Sequence, residues 1–199
     1  MASKKLPKVL TKMAAQKFID SIHTRYPTGV RNKSMILFMY RAGLRVAEVV
    51  NLMETDVNLQ DHFVLVQQGK GGKDRYIPID GETVEWVEKW LEKKREMGLN
   101  CPYLYCTHKN KKIDTRYVRD VCYRLSERSG VFVQKGKEKR PVSPHVLRHC
   151  YGTELLEEGF NIREVQDLLG HSNINTTMLY THIRPEVLAS KVWQRGGEK

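Results

Sequence analysis

Apolar residues recur at helical spacing through most of this chain, with one interval of strand-like patterning near its middle. Thr11 stands where a side-chain oxygen would cap a first helix, which ends before Tyr26-Pro27. A second helix is predicted from about Asn32 to Gly43. Met35, Ile36, Leu37, Phe38, Met39 and Tyr40 make it apolar nearly all round, the mark of a buried helix. Gly43 closes it, and a short helix follows over Leu44 to Leu52. His62-Phe63-Val64-Leu65-Val66 and Tyr76-Ile77-Pro78-Ile79 flank a glycine-rich turn and read as an antiparallel hairpin. Pro78 puts its strand at an edge. Glu82 to Met97 reads as a helix closed by Gly98, and Tyr103-Leu104-Tyr105 as a short strand. Thr115 is placed to cap a helix with Val118, Val121, Cys122 and Leu125 on one face and Gly130 beyond its end. Val131 to Val142 reads as a basic loop. Further helices are expected over His145–Glu158, Ile162–Leu169 and Asn175–Tyr180, and a last one opens at Pro185 and reaches about Gln194. The fold class is therefore α+β, mainly helical, with a small antiparallel sheet.

Composition narrows the function classes. A chain of 199 residues forms one domain, or two small ones, and buries enough surface to need no disulfide or metal for its core. Its formal charge of +11 suits a polyanionic partner, because Lys and Arg displace counterions from a phosphate backbone. No run approaches the roughly eighteen consecutive apolar residues of a membrane span, and no apolar segment follows the basic start as in a signal peptide. A cytoplasmic protein is expected, with no membrane partner. Cys101, Cys106, Cys122 and Cys150 include no C-x-x-C pair, and Cys101, Cys106 and His108 lack a fourth ligand for zinc. No metal or other cofactor is expected, and the cysteines read as reduced.

Six scattered polar residues carry the chemistry: Arg45, Lys70, His145, Arg148, His171 and Tyr180. Arg45 lies in Gly43-Leu44-Arg45-Val46-Ala47-Glu48, where Glu48 at i+3 can hold it by an ion pair. Lys70 lies in the glycine-rich turn, with Lys73 as a competitor for its role. His145 and Arg148 follow Ser143-Pro144, a capping residue and a good first helical residue, so they sit near helical N–H groups that favour an anion. Helical phase puts His145, Arg148 and Gly152 on one face, with Gly152 leaving room for phosphate. Val146, Leu147, Cys150 and Tyr151 lie on the other face. His171 follows Leu168-Leu169-Gly170 and precedes Tyr180 by nine residues. Two arginine forks for phosphate oxygens, a lysine, two histidines and a tyrosine suit attack of a phenol on a DNA phosphodiester.

In these motifs, their order and their separations, the chain resembles the tyrosine recombinase (phage integrase) family from about Leu10 to about Trp193. The resemblance implies that Tyr180 is the nucleophile and forms a 3′-phosphotyrosine. It makes Arg45 and Arg148 the phosphate clamps, His145 and His171 further phosphate ligands, and Lys70 the proton donor to the leaving 5′ oxygen. His149 becomes a structural histidine, in the core or supporting the site, beside Glu48. Lys73, Arg75, Lys135, Lys137, Lys139 and Arg140 are expected to touch DNA. The implied function is site-specific cleavage and rejoining of double-stranded DNA through a Holliday junction, without metal or ATP. The implied assembly is a homotetramer on DNA, with a monomer off it.

The expected organisation is a basic tail over 1–9, a catalytic domain over 10–184, and a C-terminal helix over 185–199. That helix either passes to a neighbouring subunit or packs on its own domain. The family's separate N-terminal core-binding domain has no counterpart, so the chain reads as a minimal recombinase or a catalytic fragment. Three rivals remain. A type IB topoisomerase would share much of the catalytic set but relax DNA with little site preference. A noncatalytic regulator would need the helix-turn-helix-like stretch from Asn161 to Tyr180 but not Lys70, His145 and Tyr180 together. A structural basic protein would explain the charge alone.

Overall fold

The computed structural model describes residues 10–67, 74–135 and 138–170, together with Trp193. Thr11 caps α1 (Lys12–Asp20), its hydroxyl accepting from the Ala14 N–H. Next comes α2 (Pro27–Arg41), which starts five residues earlier than the apolar run suggests. Pro27 is its first residue, where a missing N–H costs nothing, and so it opens α2 rather than stopping the helix before it. Met35, Ile36, Leu37, Phe38 and Met39 are essentially inaccessible, which makes α2 the axis of the core. Each such side chain contributes about 1.5–3 kcal/mol by leaving water. A short α3 (Val46–Asn51) and a 3₁₀ turn (Glu54–Asp56) lead to the sheet.

The sheet has three antiparallel strands in the order β1-β2-β3: β1 (Val57–Asn58), β2 (Phe63–Val66) and β3 (Arg75–Pro78). The expected hairpin is β2 and β3, with Val64 opposite Ile77, and Pro78 is on the edge strand. Two-residue β1 is too short to leave a pattern in the sequence. Along β3 the period of two turns Tyr76 outward and buries Ile77.

Asp80 caps α4 (Gly81–Glu96), which packs on α2 with Val87 and Trp90 buried. The expected strand at Tyr103-Leu104-Tyr105 is only an isolated bridge from Tyr103 to Met53. Asp114, not Thr115, caps α5 (Thr115–Ser129), its carboxylate accepting from the Arg116 N–H at 2.7 Å. The basic loop expected over Val131 to Val142 is instead a hairpin of β4 (Phe132–Lys135) and β5 (Glu138–Pro141). Its later residues are exposed on both faces, so no apolar alternation marks it. Its base is anchored by buried Val131 and Val142, with Val133 packed against the core and the Val142 N–H donating to Ser126 Oγ at 2.7 Å.

After β5 come α6 (Pro144–Glu157) and α7 (Ile162–Leu169). Ser143 has the extended backbone of an N-cap but makes no side-chain cap bond. Asn161 caps α7 in a capping box with Glu164, worth about 1 kcal/mol. Tyr151, Leu155, Phe160, Val165, Leu168 and Leu169 form a second apolar cluster between α6 and α7. Gly152 belongs to this contact: a Cβ there would stand 3.1 Å from Leu169 Cδ1, so its missing side chain makes room for α7 rather than for phosphate.

Trp193 stacks on His62, ring centroids 4.0 Å apart, and lies against Gly81 at the start of α4. The helix expected over Asn175–Tyr180 and the rest of the tail lie outside the described residues. Among the described residues, no helix is long and apolar enough to cross a membrane.

Candidate active site

Two chain reversals, at Gly43 and Gly170, meet around Arg45 and Arg148. Gly43 follows α2 in the left-handed conformation (φ +65°), and the Leu44 N–H returns to Phe38 O at 3.0 Å. This reversal delivers Arg45 to the start of α3. The Glu48 carboxylate accepts from the Arg45 backbone N–H at 2.7 Å and from its guanidinium at 2.6 Å. One carboxylate thus holds both ends of Arg45. The other arm of that guanidinium donates to Gly170 O at 2.9 Å.

Arg148 reaches the same place from α6. Its guanidinium donates to Gly43 O, just past α2, and to Leu169 O, at the end of α7. Gly170 ends α7 in the left-handed conformation (φ +60°), which leaves these last carbonyls aimed at Arg45 and Arg148. Helix C-termini carry partial negative charge, so they hold arginines without neutralising them. Arg148 is buried, with a side chain only 7% exposed. Desolvation, with repulsion from Arg45 and Arg75 outweighing attraction to Glu48, pushes its pKa down to about 10, and it stays charged at neutral pH.

Arg75 was expected at a DNA backbone from the hairpin. It instead turns inward: its side chain is 14% exposed and donates to Glu48 Oε2 at 2.8 Å. A Cβ on Gly170 would stand 2.9 Å from the guanidinium carbon, so the Arg75 plane lies flat against that glycine. The period of two along β3 already implied this, because Arg75 shares the face of Ile77. Burial alone would raise the Glu48 carboxyl. The Arg45 N–H and the two guanidiniums outweigh it and hold the pKa below the usual carboxylate range. Arg45, Arg75 and Arg148 thus surround one carboxylate, and these four side chains together carry a formal charge of +2.

His145 is exposed on α6, one turn before Arg148. His149 is exposed on the same side, because a step of four residues returns to the same helix face; this excludes the core from its two expected places and leaves the supporting one. Partial desolvation, then the neighbouring His145 and Arg148, push its pKa down. Lys139 and Arg140 are exposed on β5, and Arg140 pairs with Glu138 at 2.9 Å. Lys70, Lys73, Lys137, His171 and Tyr180 lie outside the described residues, as does the Lys135 side chain. Among the described residues, no group of three or more His, Cys, Asp or Glu side chains is placed to hold a metal ion.

The phage integrase family model matches residues 8–186. The tyrosine recombinase XerA of Thermococcus kodakarensis is 37% identical over 186 residues, covering 92% of this chain and 61% of that protein. The tyrosine recombinase XerD of Ralstonia nicotianae is 36% identical over 187 residues, covering 92% and 58%. The chain therefore spans about three fifths of the length of the curated relatives it matches. Among solved structures, the XerA recombinase superposes with a TM-score of 0.74 at 29% identity, over 98% of this chain and 67% of that one. The XerH site-specific recombinase bound to its difH substrate in a pre-cleavage complex superposes with a TM-score of 0.72 at 25% identity, over 87% and 50%.

Proposed function

The chain belongs to the phage integrase family, and on that premise we propose that it breaks and rejoins double-stranded DNA at defined sites through a phosphotyrosine at Tyr180. The observation that carries the reading is the pair of guanidiniums at the site, half-buried Arg45 and buried Arg148. Both are anchored on backbone carbonyls, and the cluster around them has surplus positive charge. Such a site takes a phosphodiester monoanion, and arginine forks match its nonbridging oxygens. A DNA-bound neighbour, XerH, supports DNA as the substrate.

In the proposed reaction the Tyr180 oxygen attacks phosphorus as the bond to the 5′ oxygen breaks. The phenolic proton passes from Tyr180 to the His145 imidazole, and the Lys70 ammonium delivers a proton to the departing oxygen. Arg45 and Arg148, with His145 and His171, take up the charge that gathers on the nonbridging oxygens. The phosphotyrosine conserves the energy of the broken ester. A free 5′ hydroxyl from a partner duplex therefore reverses the step without ATP, and two rounds pass through a Holliday junction. Strand exchange of this kind calls for several subunits on the DNA, in the cytoplasm, and we assign a homotetramer there. Passage of residues 185–199 to a neighbour would first release Trp193 from His62.

The test is trapping of covalent protein–DNA adducts on nicked duplexes cut from DNA flanking the source gene. Wild-type protein is expected to form an adduct. Tyr180→Phe is expected to form none while binding the same duplex as tightly. An adduct that survives in Tyr180→Phe would refute the nucleophile.

A further inference from the structure

We infer that Arg75 is a positioning residue that holds the Glu48 carboxylate on Arg45 and away from Arg148, leaving the Arg148 guanidinium open to a phosphodiester. The inference rests on the reading above, that Arg45 and Arg148 bind the scissile phosphate.

The geometry is a competition for one carboxylate. Glu48 Oε1 accepts from the Arg45 guanidinium at 2.6 Å. Oε2 accepts from the Arg45 backbone N–H at 2.7 Å and from Arg75 at 2.8 Å. That same Oε2 stands 3.9 Å from Arg148 Nη1, about 1 Å beyond a charge-assisted hydrogen bond. Arg148 is the more desolvated of the two clamping arginines, with a side chain 7% exposed against 24% for Arg45. Without Arg75, Oε2 would keep only the Arg45 backbone N–H and would be drawn toward Arg148, where attraction is least screened. An internal carboxylate on Arg148 occupies the fork that a phosphate needs. Arg75 prevents this by keeping Oε2 engaged.

Arg75 is well placed to hold that oxygen. It comes from β3, whereas Glu48 belongs to α3, so the pair ties the sheet to the helix that presents Arg45. Its guanidinium lies flat on Gly170, whose Cβ, if present, would stand within 3.0 Å of three Arg75 atoms. A side chain here would push Arg75 off Glu48. The Nε of Arg75 is buried and has no partner among the described residues, which raises the competing role of a direct phosphate ligand. The two roles predict different behaviour once Glu48 is neutral.

The experiment uses the full chain, with inorganic sulfate as the anion probe and chloride at equal ionic strength as the reference. The readout is sulfate-induced thermal stabilisation of wild type, Arg75→Gln, Arg75→Lys and the double variant Glu48→Gln/Arg75→Gln. The expected result is that Arg75→Gln loses most of the sulfate-specific stabilisation and Arg75→Lys loses less. The double variant regains it, because a neutral side chain does not close on Arg148. A double variant as weak as Arg75→Gln would overturn the inference and make Arg75 an anion ligand. Equal stabilisation of wild type and Arg75→Gln would also overturn it.

A second arm measures single-turnover adduct formation and binding on the duplex that wild type cleaves. Arg75→Gln is expected to slow the adduct by about 100-fold, the cost of a misplaced phosphate clamp, with the salt dependence of binding unchanged. A salt slope reduced by about one unit would instead identify a phosphate contact and overturn the inference. Absence of any wild-type adduct would strike the recombinase reading, and the sulfate arm would still decide the role of Arg75.

Discussion

Replacing Gly43 by alanine should destabilise the protein by about 2–5 kcal/mol, and the two parts of that cost can be separated. Gly43 has φ +65°, where an L side chain costs about 1–2 kcal/mol. Its Cβ would also stand 2.4 Å from Tyr151 Cδ1 and 2.9 Å from Leu169 Cδ2. Tyr151 is fully buried, so it can give way only by disturbing the cluster between α6 and α7, an overpacking cost of about 1–3 kcal/mol. Gly98 is the control. It has φ +63°, but a Cβ there meets nothing within 4 Å, so Gly98→Ala should lose only the backbone part, about 1–2 kcal/mol. Urea unfolding at neutral pH measures both, with the denaturant slope checked for constancy. If Gly43→Ala costs no more than Gly98→Ala, the close packing of the turn on Tyr151 is wrong. The proposed seat of Arg148 on Gly43 O then falls with it.

Two other predictions follow from ionisation. The folded pKa of Glu48 is depressed, so its contribution to stability is fully present above the unfolded carboxyl value and is lost as pH falls through the folded one. Urea midpoints from pH 6 to pH 3 should therefore fall less steeply for Glu48→Gln than for wild type, and parallel curves would contradict the pairing. Burial pushes the Cys122 thiol up to about 12 and the Cys150 thiol to about 11, so neither carries appreciable thiolate at pH 8. An aromatic disulfide reagent should label both slowly in native protein and at once in denaturant, and rapid native labelling of either would refute their burial.

The parts legible in the sequence are those where a side chain announces a backbone event. Gly43, Gly98, Gly130 and Gly170 end helices at positive φ, and Asn161 with Glu164 starts one. The misreadings have physical causes. Pro27 stops a helix arriving from its N-terminal side, but its missing N–H equally suits the start of α2. The β4–β5 hairpin has too little buried surface to leave an apolar alternation. At the site, Arg45, Glu48 and Arg148 were legible from their spacing, and the Arg45–Glu48 pair is present. What seats Arg148 was not legible, because Gly43 O and Leu169 O are backbone carbonyls and carry no residue signature. The alternation of β3 puts Arg75 on the buried face with Ile77, whereas its charge alone points to solvent.

The way the arginines are held bears on what the proposed site would favour. Had Arg45, Arg75 and Arg148 each been matched to its own carboxylate, the cluster would be neutral, and an incoming phosphate would have to displace an anion from every fork. Instead, two of the three lean on carbonyls at helix C-terminal ends, whose partial charges fix direction while leaving the formal charge in place. Glu48 offsets one charge, which leaves these four side chains a surplus of two. A phosphodiester brings one negative charge to this place. Attack by an ionised phenol would add a second, concentrated on the nonbridging oxygens of the five-coordinate state. The surplus therefore matches the transition state of the proposed reaction better than its ground state, and only that difference accelerates a reaction. The same logic explains why the single carboxylate must be kept off Arg148. Moved there, it would lower the surplus at the most desolvated fork, where each unit of charge weighs most.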